Sequence, residues 1–288
     1  LDVNLMNEIA AECRRIKPGF MVYGEGWNMP SFVPPEIRAT QENQAKMPDV
    51  GHFSDRFRDT IRGSNGDLGQ KGFASGNIGA MSDVMNVMAA SCNEHRYDSP
   101  EKAINYVECH DNHTLWDKNK VACHGEGSDL RDKRQVFANA VVLLSQGVPF
   151  LHAGQEFGRT KEGVGNTYNR GDNINQMDYH RRDRHSSIVR DTRRLIEIRK
   201  QHPSLRLRTA QEIENQVKFE TISGQCLVYR TSKDADSLIS FLNPTGSWFQ
   251  YDIHELGHVL FDNGDSNQEY TSNLVIAPYS VVICQLGG

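Results

Sequence analysis

Residues 20–25 read FMVYGE, a short apolar run that is followed at once by an acid, Glu25. An uninterrupted apolar run of this length is typical of a strand that is buried on both faces, as in a parallel sheet. The preceding residues 1–17 repeat apolar side chains every three or four positions, which predicts an amphipathic helix that ends at the Lys-Pro-Gly of 17–19. This helix-then-buried-strand unit sets the expected fold class.

The same unit recurs along the first two thirds of the chain. Short strand candidates lie at 50–53, 104–109 and 147–151, and helical patterns cover 54–62, 129–145 and 186–201. Alternation of short buried strands with longer helices predicts βα units and a parallel sheet. We therefore expect an α/β domain over residues 1–206.

The pattern changes after residue 206. Short strand-like runs separated by Gly, Asn and Asp occupy 217–222, 227–231, 238–242, 248–253, 259–261 and 281–286. Such spacing is typical of a small antiparallel sandwich. We expect residues 207–288 to form an all-β domain.

Composition excludes several classes of function. The 288 residues have a net charge of −5, which provides no basic field for nucleic acid. No apolar run approaches the roughly 18 residues that a membrane-spanning helix needs. The six cysteines are scattered and form no CxxC pair, so free buried thiols and a reducing, cytoplasmic compartment are favoured over secretion.

Two acids stand where a predicted strand ends: Glu25 after 20–24, and Asp111 after 104–109. In a barrel of parallel strands the carboxyl ends face one mouth, so these acids are expected to converge there. A pair of carboxylic acids is what glycosidic bond cleavage requires, one to protonate the leaving oxygen and another to attack or stabilise the sugar cation. The alternative is that both are ordinary loop acids or helix N-caps.

The neighbours of these acids favour a sugar site. Glycines flank Glu25, which allows backbone and ligand to approach closely, and Trp27 offers a flat face for a sugar ring. His110 and Asn112 add hydrogen-bonding groups on both sides of Asp111. Trp27 as a core residue and His110 as a structural histidine are the alternatives.

Several segments resemble pullulanases, which are members of the α-amylase superfamily (glycoside hydrolase family 13). The segment around Glu25 is similar to the one with the general acid/base, and the segment around Asp111 is similar to a later motif whose His-Asp pair holds the sugar. Further similar segments are an eighth-strand segment and a loop of type I pullulanases. In chain order the matching segments are 23–28, 105–117, 147–157, 159–161, 166–169 and 171–175.

This resemblance implies a C-terminal half of a (β/α)8 barrel followed by a β-sandwich. It implies that Glu25 is the proton donor and later the base, and that Asp111 stabilises the oxocarbenium-like transition state. His110 would bind the sugar at the cleavage point, with Asn112 beside it. Trp27 would guide the chain on the leaving-group side, and Asp172 would contact a glucose on the donor side.

The sequence also departs from the family pattern. The nucleophile, an aspartate at the end of the fourth strand, and the third-strand segment are absent, and about four strand candidates stand where a barrel has eight. We expect the chain not to fold stably alone but to require its N-terminal half as a partner. In this superfamily calcium often sits in the absent regions, so no cofactor and no metal ligand is assigned.

A competing signal is the HExxH pattern of zinc proteases at residues 254–258. On a helix, His254 and His258 would grip Zn²⁺ and Glu255 would activate its water. The extended pattern lacks its third ligand, because Gly264 stands where a histidine is needed. The flanking residues also alternate like strands, so we expect both histidines at the surface beside a turn.

The sequence thus predicts a retaining glycoside hydrolase that acts on α-1,6 branch points of pullulan, amylopectin or glycogen. One alternative is an α-1,4-acting amylase or neopullulanase of the same superfamily. Another is a non-catalytic glucan-binding fragment, and the zinc protease is a third.

Overall fold

The computed structural model describes residues 1–264 and 268–287. Within them, the first part of the chain alternates strands with helices and the last part is almost entirely strands. The α-helices are Val3–Ile16 (α1), Asp55–Arg62 (α2), Met81–Met88 (α3), Leu115–Ala122 (α4), Ser128–Leu144 (α5), Asp172–Asn175 (α6), Tyr179–Arg184 (α7), Ser186–Gln201 (α8) and Ala210–Gln216 (α9). The strands are Val22–Gly24 (β1), Val50–Phe53 (β2), Ala103–Asn105 (β3), Val148–Pro149 (β4), Val217–Ile222 (β5), Cys226–Lys233 (β6), Asp236–Asn243 (β7), Phe249–Asp262 (β8), Tyr270–Ile276 (β9) and Ser280–Leu286 (β10).

The first four strands form a parallel sheet in the order β1-β2-β3-β4. Because neighbours in sequence are neighbours in the sheet, the connections are those of successive strands in a (β/α) barrel. The predicted α/β class and the parallel sheet are confirmed. The predicted strand 104–109 is too long, since β3 ends at Asn105.

Each of the four parallel strands contributes one aromatic side chain near its carboxyl end. Phe53 is central to this layer, with its ring centroid 5.7 Å from that of Tyr23, 5.1 Å from Tyr106 and 5.0 Å from Phe150. Interlocking side chains from adjacent strands are the packing expected inside a parallel barrel. Tyr23 is still 46% exposed, so the layer is uncovered on the β1 side.

The last six strands form one antiparallel sheet in the order β5-β6-β7-β10-β8-β9. Side chains of one face, such as Val228, Phe241 and Val282, form a cluster of their own. Side chains of the other face, such as Leu227 and Ile283, join the core of the α/β part. The all-β region is confirmed, while the domain boundary at 206/207 stays a prediction.

Two details of this sheet differ from the sequence-based expectation. The runs 248–253 and 259–261 belong to the single strand β8, whose pairing with β9 is irregular between Asp252 and Gly257. His254 has a left-handed φ of 61° at this irregularity, so the chain bulges and continues where a turn was expected. Strand β9 was not predicted.

Helix α5 links the two parts of the structure. Its side chains pack with those of α8 and of the antiparallel sheet in one apolar cluster, in which Phe137, Leu195 and Val281 are at most 1% exposed. At the turn after α5, the side-chain amide of Gln146 donates to Ser204 O (2.9 Å) and to the Tyr229 hydroxyl (3.0 Å). A buried amide with satisfied partners fixes this junction in a single arrangement.

Among the described helices, none combines the length and the apolar character that crossing a membrane would require. All six cysteines are free, and four of them are buried. The expectation of free buried thiols therefore holds for Cys92, Cys123, Cys226 and Cys284.

Candidate functional site

A cleft of about 270 Å³ lies at the carboxyl end of the parallel sheet. It is built from the segments that follow the first three strands. The residues that line it are Glu25, Trp27, Asp55, Arg58, Tyr106, Cys109, Asp111 and Asn112. Two acids that are 86 positions apart in sequence (111 − 25) thus share one cavity, as their places after β1 and β3 predicted.

The backbone at Glu25 is held in place by Gln41. The side-chain amide of Gln41 donates to Glu25 O and to Phe53 O, each at 2.9 Å, and so connects the ends of β1 and β2. Next to it, Gly26 has a φ of +64°, and a Cβ there would lie 2.3 Å from His52 Cδ2. Only glycine fits at this position, and the Glu25 side chain itself is left exposed toward the cleft.

Trp27 lies between two cavities. It lines the cleft with Glu25, and it also lines a neighbouring cavity of about 390 Å³ with Tyr23 and Met29. The indole is half-buried, so part of its face is available to a ligand. An aromatic face beside a carboxylic acid suits a sugar ring, whose C–H groups stack on such surfaces.

Asp111 lies on a bent loop, and only one of its two neighbours in sequence lines the cleft. Asn112 lines the cleft, has a φ of +59°, and donates its backbone N–H to Asn166 Oδ1 (2.9 Å). The side chain of His110 is 81% exposed and does not line the cleft, although its Nε2 is 3.6 Å from Asp111 Oδ1. The structure therefore brings Glu25, Trp27, Asp111 and Asn112 together and leaves His110 at the rim.

Asp172 is placed elsewhere. It is the first residue of the short helix α6, is exposed, and is not among the residues that line the cleft. The loop before it is held by Asn175, whose side-chain amide donates to Thr167 O and Arg170 O at 2.8 and 2.9 Å.

Four further residues of the cleft were not predicted from the sequence: Asp55, Arg58, Tyr106 and Cys109. Asp55 is the first residue of α2, directly after β2, and its carboxylate lies 3.5 Å from Arg96. The rule that selected Glu25 and Asp111, an acid just beyond a strand, applies equally to Asp55. Arg58 follows one helical turn later and had no comparable signal.

Arg58 is fixed as part of the cleft wall. Its guanidinium makes two hydrogen bonds with Asp59 (2.7 and 3.0 Å) and a third with the Tyr106 hydroxyl (2.8 Å). Burial raises the pKa of Tyr106 to about 12 and also raises the pKa of the Cys109 thiol. Both groups are therefore neutral near pH 7, and the wall presents one fixed cation, a phenol and a thiol.

The HExxH segment does not form a zinc site. Its residues lie in the strand β8, where His254 is exposed and the ring of His258 stacks on Tyr270 with centroids 4.6 Å apart. No group of three or more His, Cys, Asp or Glu side chains in the described residues is arranged to hold a metal ion. The two histidines of this motif bind one zinc ion together when they lie on a helix, whereas here they lie on a strand.

The chain is similar to pullulanases in sequence. It is 41% identical over 234 residues to a pullulanase of Bacillus subtilis (strain 168), an alignment that covers 80% of this chain and 33% of that protein. It is 24% identical over 277 residues to pullulanase A of Streptococcus pneumoniae serotype 2, covering 78% of this chain and 22% of that protein. No protein-family model matches the chain.

Solved structures agree with the sequence relatives. The structure of a pullulanase from Anoxybacillus sp. LM18-11 complexed with maltotetraose has a TM-score of 0.94 at 34% identity, and covers all of this chain and 42% of that chain. A pullulanase from Paenibacillus barengoltzii in complex with maltohexaose and α-cyclodextrin has the same score and identity, with 46% of that chain covered. This chain therefore spans between a fifth and a half of the relatives it matches. Sequence and fold together show that it belongs to the pullulanase family, within glycoside hydrolase family 13, and corresponds to one part of its longer members.

Proposed function

We propose that this chain supplies the general acid/base and a transition-state-stabilising carboxylate to a retaining glycoside hydrolase that cleaves α-1,6 branch linkages in pullulan, amylopectin or glycogen. The observation that supports this proposal most directly is the shared cleft of Glu25, Trp27 and Asp111. Pullulanases with 34% identity to this chain have been solved with maltotetraose and maltohexaose bound, which favours an α-glucan as the substrate.

In this mechanism, Glu25 protonates the glycosidic oxygen as the bond breaks and later removes a proton from the attacking water. A retaining reaction needs a nucleophile about 5–5.5 Å from the acid, and the missing barrel half is the proposed source of that carboxylate. Asp111 stabilises the positive charge that develops on the sugar. Trp27 holds the leaving part of the glucan against its face.

His110, Asn112 and Asp172 are assigned to sugar binding in the same proposal. Asn112 lines the cleft and His110 lies at its rim, so both are within reach of a sugar whose reacting carbon lies between Glu25 and Asp111. Asp172 is at a separate place on the loop 159–175, where it would contact a glucose further along the donor side.

We also propose that the chain is active only when it is complemented by the other strands of the barrel. In the described residues β1 pairs only with β2 and β4 only with β3, so the sheet has two open edges. A cavity of about 640 Å³ lies against the amino ends of its strands.

Apolar side chains are exposed on α1, on the segment that leads to β1, and on β1 itself. They are Leu5 (40%), Ile9 (39%), Ile16 (71%), Phe20 (41%), Met21 (43%) and Tyr23 (46%). Exposed apolar side chains that accumulate beside an open sheet edge are expected to be covered by another protein element. The remaining strands and helices of the barrel are the covering element that the pullulanase fold favours.

The test is reducing-sugar release from pullulan by the chain alone and after mixing with a polypeptide that supplies the other barrel strands. We expect activity only in the mixture, with maltotriose as the product of α-1,6 cleavage. Panose as the product would indicate α-1,4 cleavage, and glucan binding without hydrolysis would indicate a binding fragment. Activity of the chain alone would contradict complementation and point to Asp55 as an internal nucleophile.

A matched pair of variants tests the role of Glu25. Glu25→Gln keeps the shape of the side chain but cannot donate the proton, so hydrolysis by the mixture is expected to fall by about 100-fold or more while maltotetraose binding persists. Glu255→Gln is the control, because Glu255 is exposed on β8 and would matter only in a zinc protease. Equal activity of Glu25→Gln and the wild-type mixture would remove Glu25 from the mechanism.

A further inference from the structure

A buried lysine holds the loop on which Asp111 lies. Lys161 is 1% exposed, and its ammonium donates to His110 O at 3.0 Å and to Asn112 O at 2.6 Å. These are the carbonyl groups of the residues immediately before and after Asp111. A single cation therefore fixes the backbone on both sides of the proposed stabilising carboxylate.

Lys161 is itself anchored at its backbone. Its N–H donates to Asp117 Oδ2 (2.8 Å), and the hydroxyl of Thr160 donates to Asp117 Oδ1 (2.5 Å). Asp117 is 4% exposed and belongs to α4, so the anchor is a packed helix and not a second loop. The ammonium is thus held in place from a rigid element.

The loop that contains Lys161, residues 159–166, touches the Asp111 loop at two further points. Asn166 accepts the hydrogen bond from the Asn112 backbone N–H, at 2.9 Å. Gly165 lies against the ring of His113, since a Cβ at Gly165 would be 2.9 Å from His113 Cε1. Contacts at Lys161, Gly165 and Asn166 therefore hold the Asp111 loop along its length.

We propose that Lys161 is a positioning residue for Asp111, and that the loop 159–166 sets the activity of the site through it. This inference rests on the proposed function of Asp111. Lys161 does not line the cleft and acts only through the backbone that it holds. Without its ammonium the two carbonyl groups lose this donor, and the Asp111 carboxylate is no longer held at one place.

The expected effect falls on catalysis more than on binding. A displacement of about 1 Å in a catalytic group can reduce the rate about 100-fold. Because Asp111 is proposed to act in the transition state, kcat is expected to fall by about this factor while KM changes less than about threefold. Loss of folded enzyme would instead lower the apparent kcat of any destabilised variant, whether or not the replaced lysine holds the Asp111 loop.

The experiment compares three variants in the complemented protein: Lys161→Met, Lys161→Arg and Lys118→Met. Lys118 is the matched control, because it is also buried and its ammonium also donates to backbone carbonyls, those of Ser64 (3.0 Å) and Asp67 (2.8 Å). These carbonyls do not adjoin the cleft. Kinetics on pullulan and hydrogen exchange of the amides of 110–114 are measured for each.

We expect Lys161→Met to lower kcat about 100-fold and to speed hydrogen exchange at 110–114, with Lys161→Arg restoring part of both. Lys118→Met is expected to leave that exchange unchanged and kcat within about threefold of the wild type. A kcat loss in Lys118→Met equal to that in Lys161→Met, or unchanged exchange at 110–114 in Lys161→Met, would overturn the inference. If the wild-type mixture does not hydrolyse pullulan, the proposed function fails, and the exchange measurement alone decides whether Lys161 holds the loop.

Discussion

Replacing His52 with glutamine is expected to make the protein more resistant to mild acid. His52 lies in β2, is 2% exposed, and packs against Gly26 directly beneath the Glu25 loop. Burial, together with the nearby charge of Lys102, lowers the pKa of His52 from 6.5 to about 4. Its ring Nδ1 has no hydrogen-bond partner among the described residues, and the nearby carboxylate of Glu42 offsets only part of the cost when a proton binds.

The sign and size follow from the difference between the two pKa values. Between about pH 4 and 6.5 the unfolded chain binds this proton and the folded chain does not, so stability falls as the pH falls. A difference of about 2.5 units corresponds to about 3 kcal/mol in full, of which about 2 kcal/mol is lost at pH 5. Above about pH 6.5 the residue makes no pH-dependent contribution.

The assay is urea unfolding of the complemented protein, followed by tryptophan fluorescence at several pH values between about 7.5 and 4.5. His52→Gln cannot take up a proton, so the difference between wild type and variant isolates this residue from other titrating groups. We expect the free energy of unfolding of the variant, relative to that of the wild type, to rise by about 2 kcal/mol between pH 7.5 and pH 5. Parallel curves across the whole range would refute the reasoning, because they would mean that His52 titrates normally in the folded protein.

Two further changes test the backbone and a polar contact. Gly26→Ala should destabilise the protein by about 1–2 kcal/mol because of the left-handed φ, and the clash with His52 should add to this loss. Gly19 also has a left-handed φ but has open space around it, so Gly19→Ala should show only the backbone cost in thermal unfolding. Equal losses for the two variants would show that the clash is relieved without cost. Burial alone would raise the pKa of Asp236. Hydrogen bonds from His202 (2.7 Å) and from Ser204 instead hold this pKa below its usual value. Asp236→Asn should therefore cost about 1–3 kcal/mol at neutral pH in urea unfolding, a difference that shrinks as the pH falls below about 4, and a constant difference down to pH 2 would contradict this.

Much of the α/β part could be predicted because its signals are local. The strand Val50–Phe53 and the helix Ser186–Gln201 begin and end where the apolar pattern places them. The strand at 104–109 was predicted too long because long-range contacts end it. Glu108 turns inward and binds the backbone N–H of Leu115 and the ring of His152 (3.0 Å), so the chain after Asn105 folds back toward α4.

The antiparallel part shows a different limit. The polar run at 254–258 looked like a break between two strands, but β8 passes through it with a bulge at His254. A bulge depends on the pairing of both neighbouring strands, which the local sequence does not encode. The strand β9 was missed because polar residues fill positions 271–273 and an apolar run covers only its last three positions, 274–276, so the strand has no alternating pattern.

The candidate site was predicted only where an acid directly follows a strand with unusual neighbours. This was enough for Glu25 and Asp111 but not for Asp55, since an acid at the start of a predicted helix is also an ordinary first-turn residue. Arg58 and Tyr106 reach the cleft through tertiary contacts that no spacing rule contains.

The junction at Gln146 bears on how enzymes of this kind can be recombined. Its side chain joins the turn after α5 to Ser204 and Tyr229, and its oxygen accepts the N–H of Leu207 at 3.0 Å. A chimera that exchanges everything after residue 206 with a relative would therefore cut through a shared polar contact and a shared apolar core. We therefore expect that the antiparallel sheet cannot be exchanged between relatives by itself. A chimera that keeps these contacts would have to exchange α5 and α8 together with the sheet.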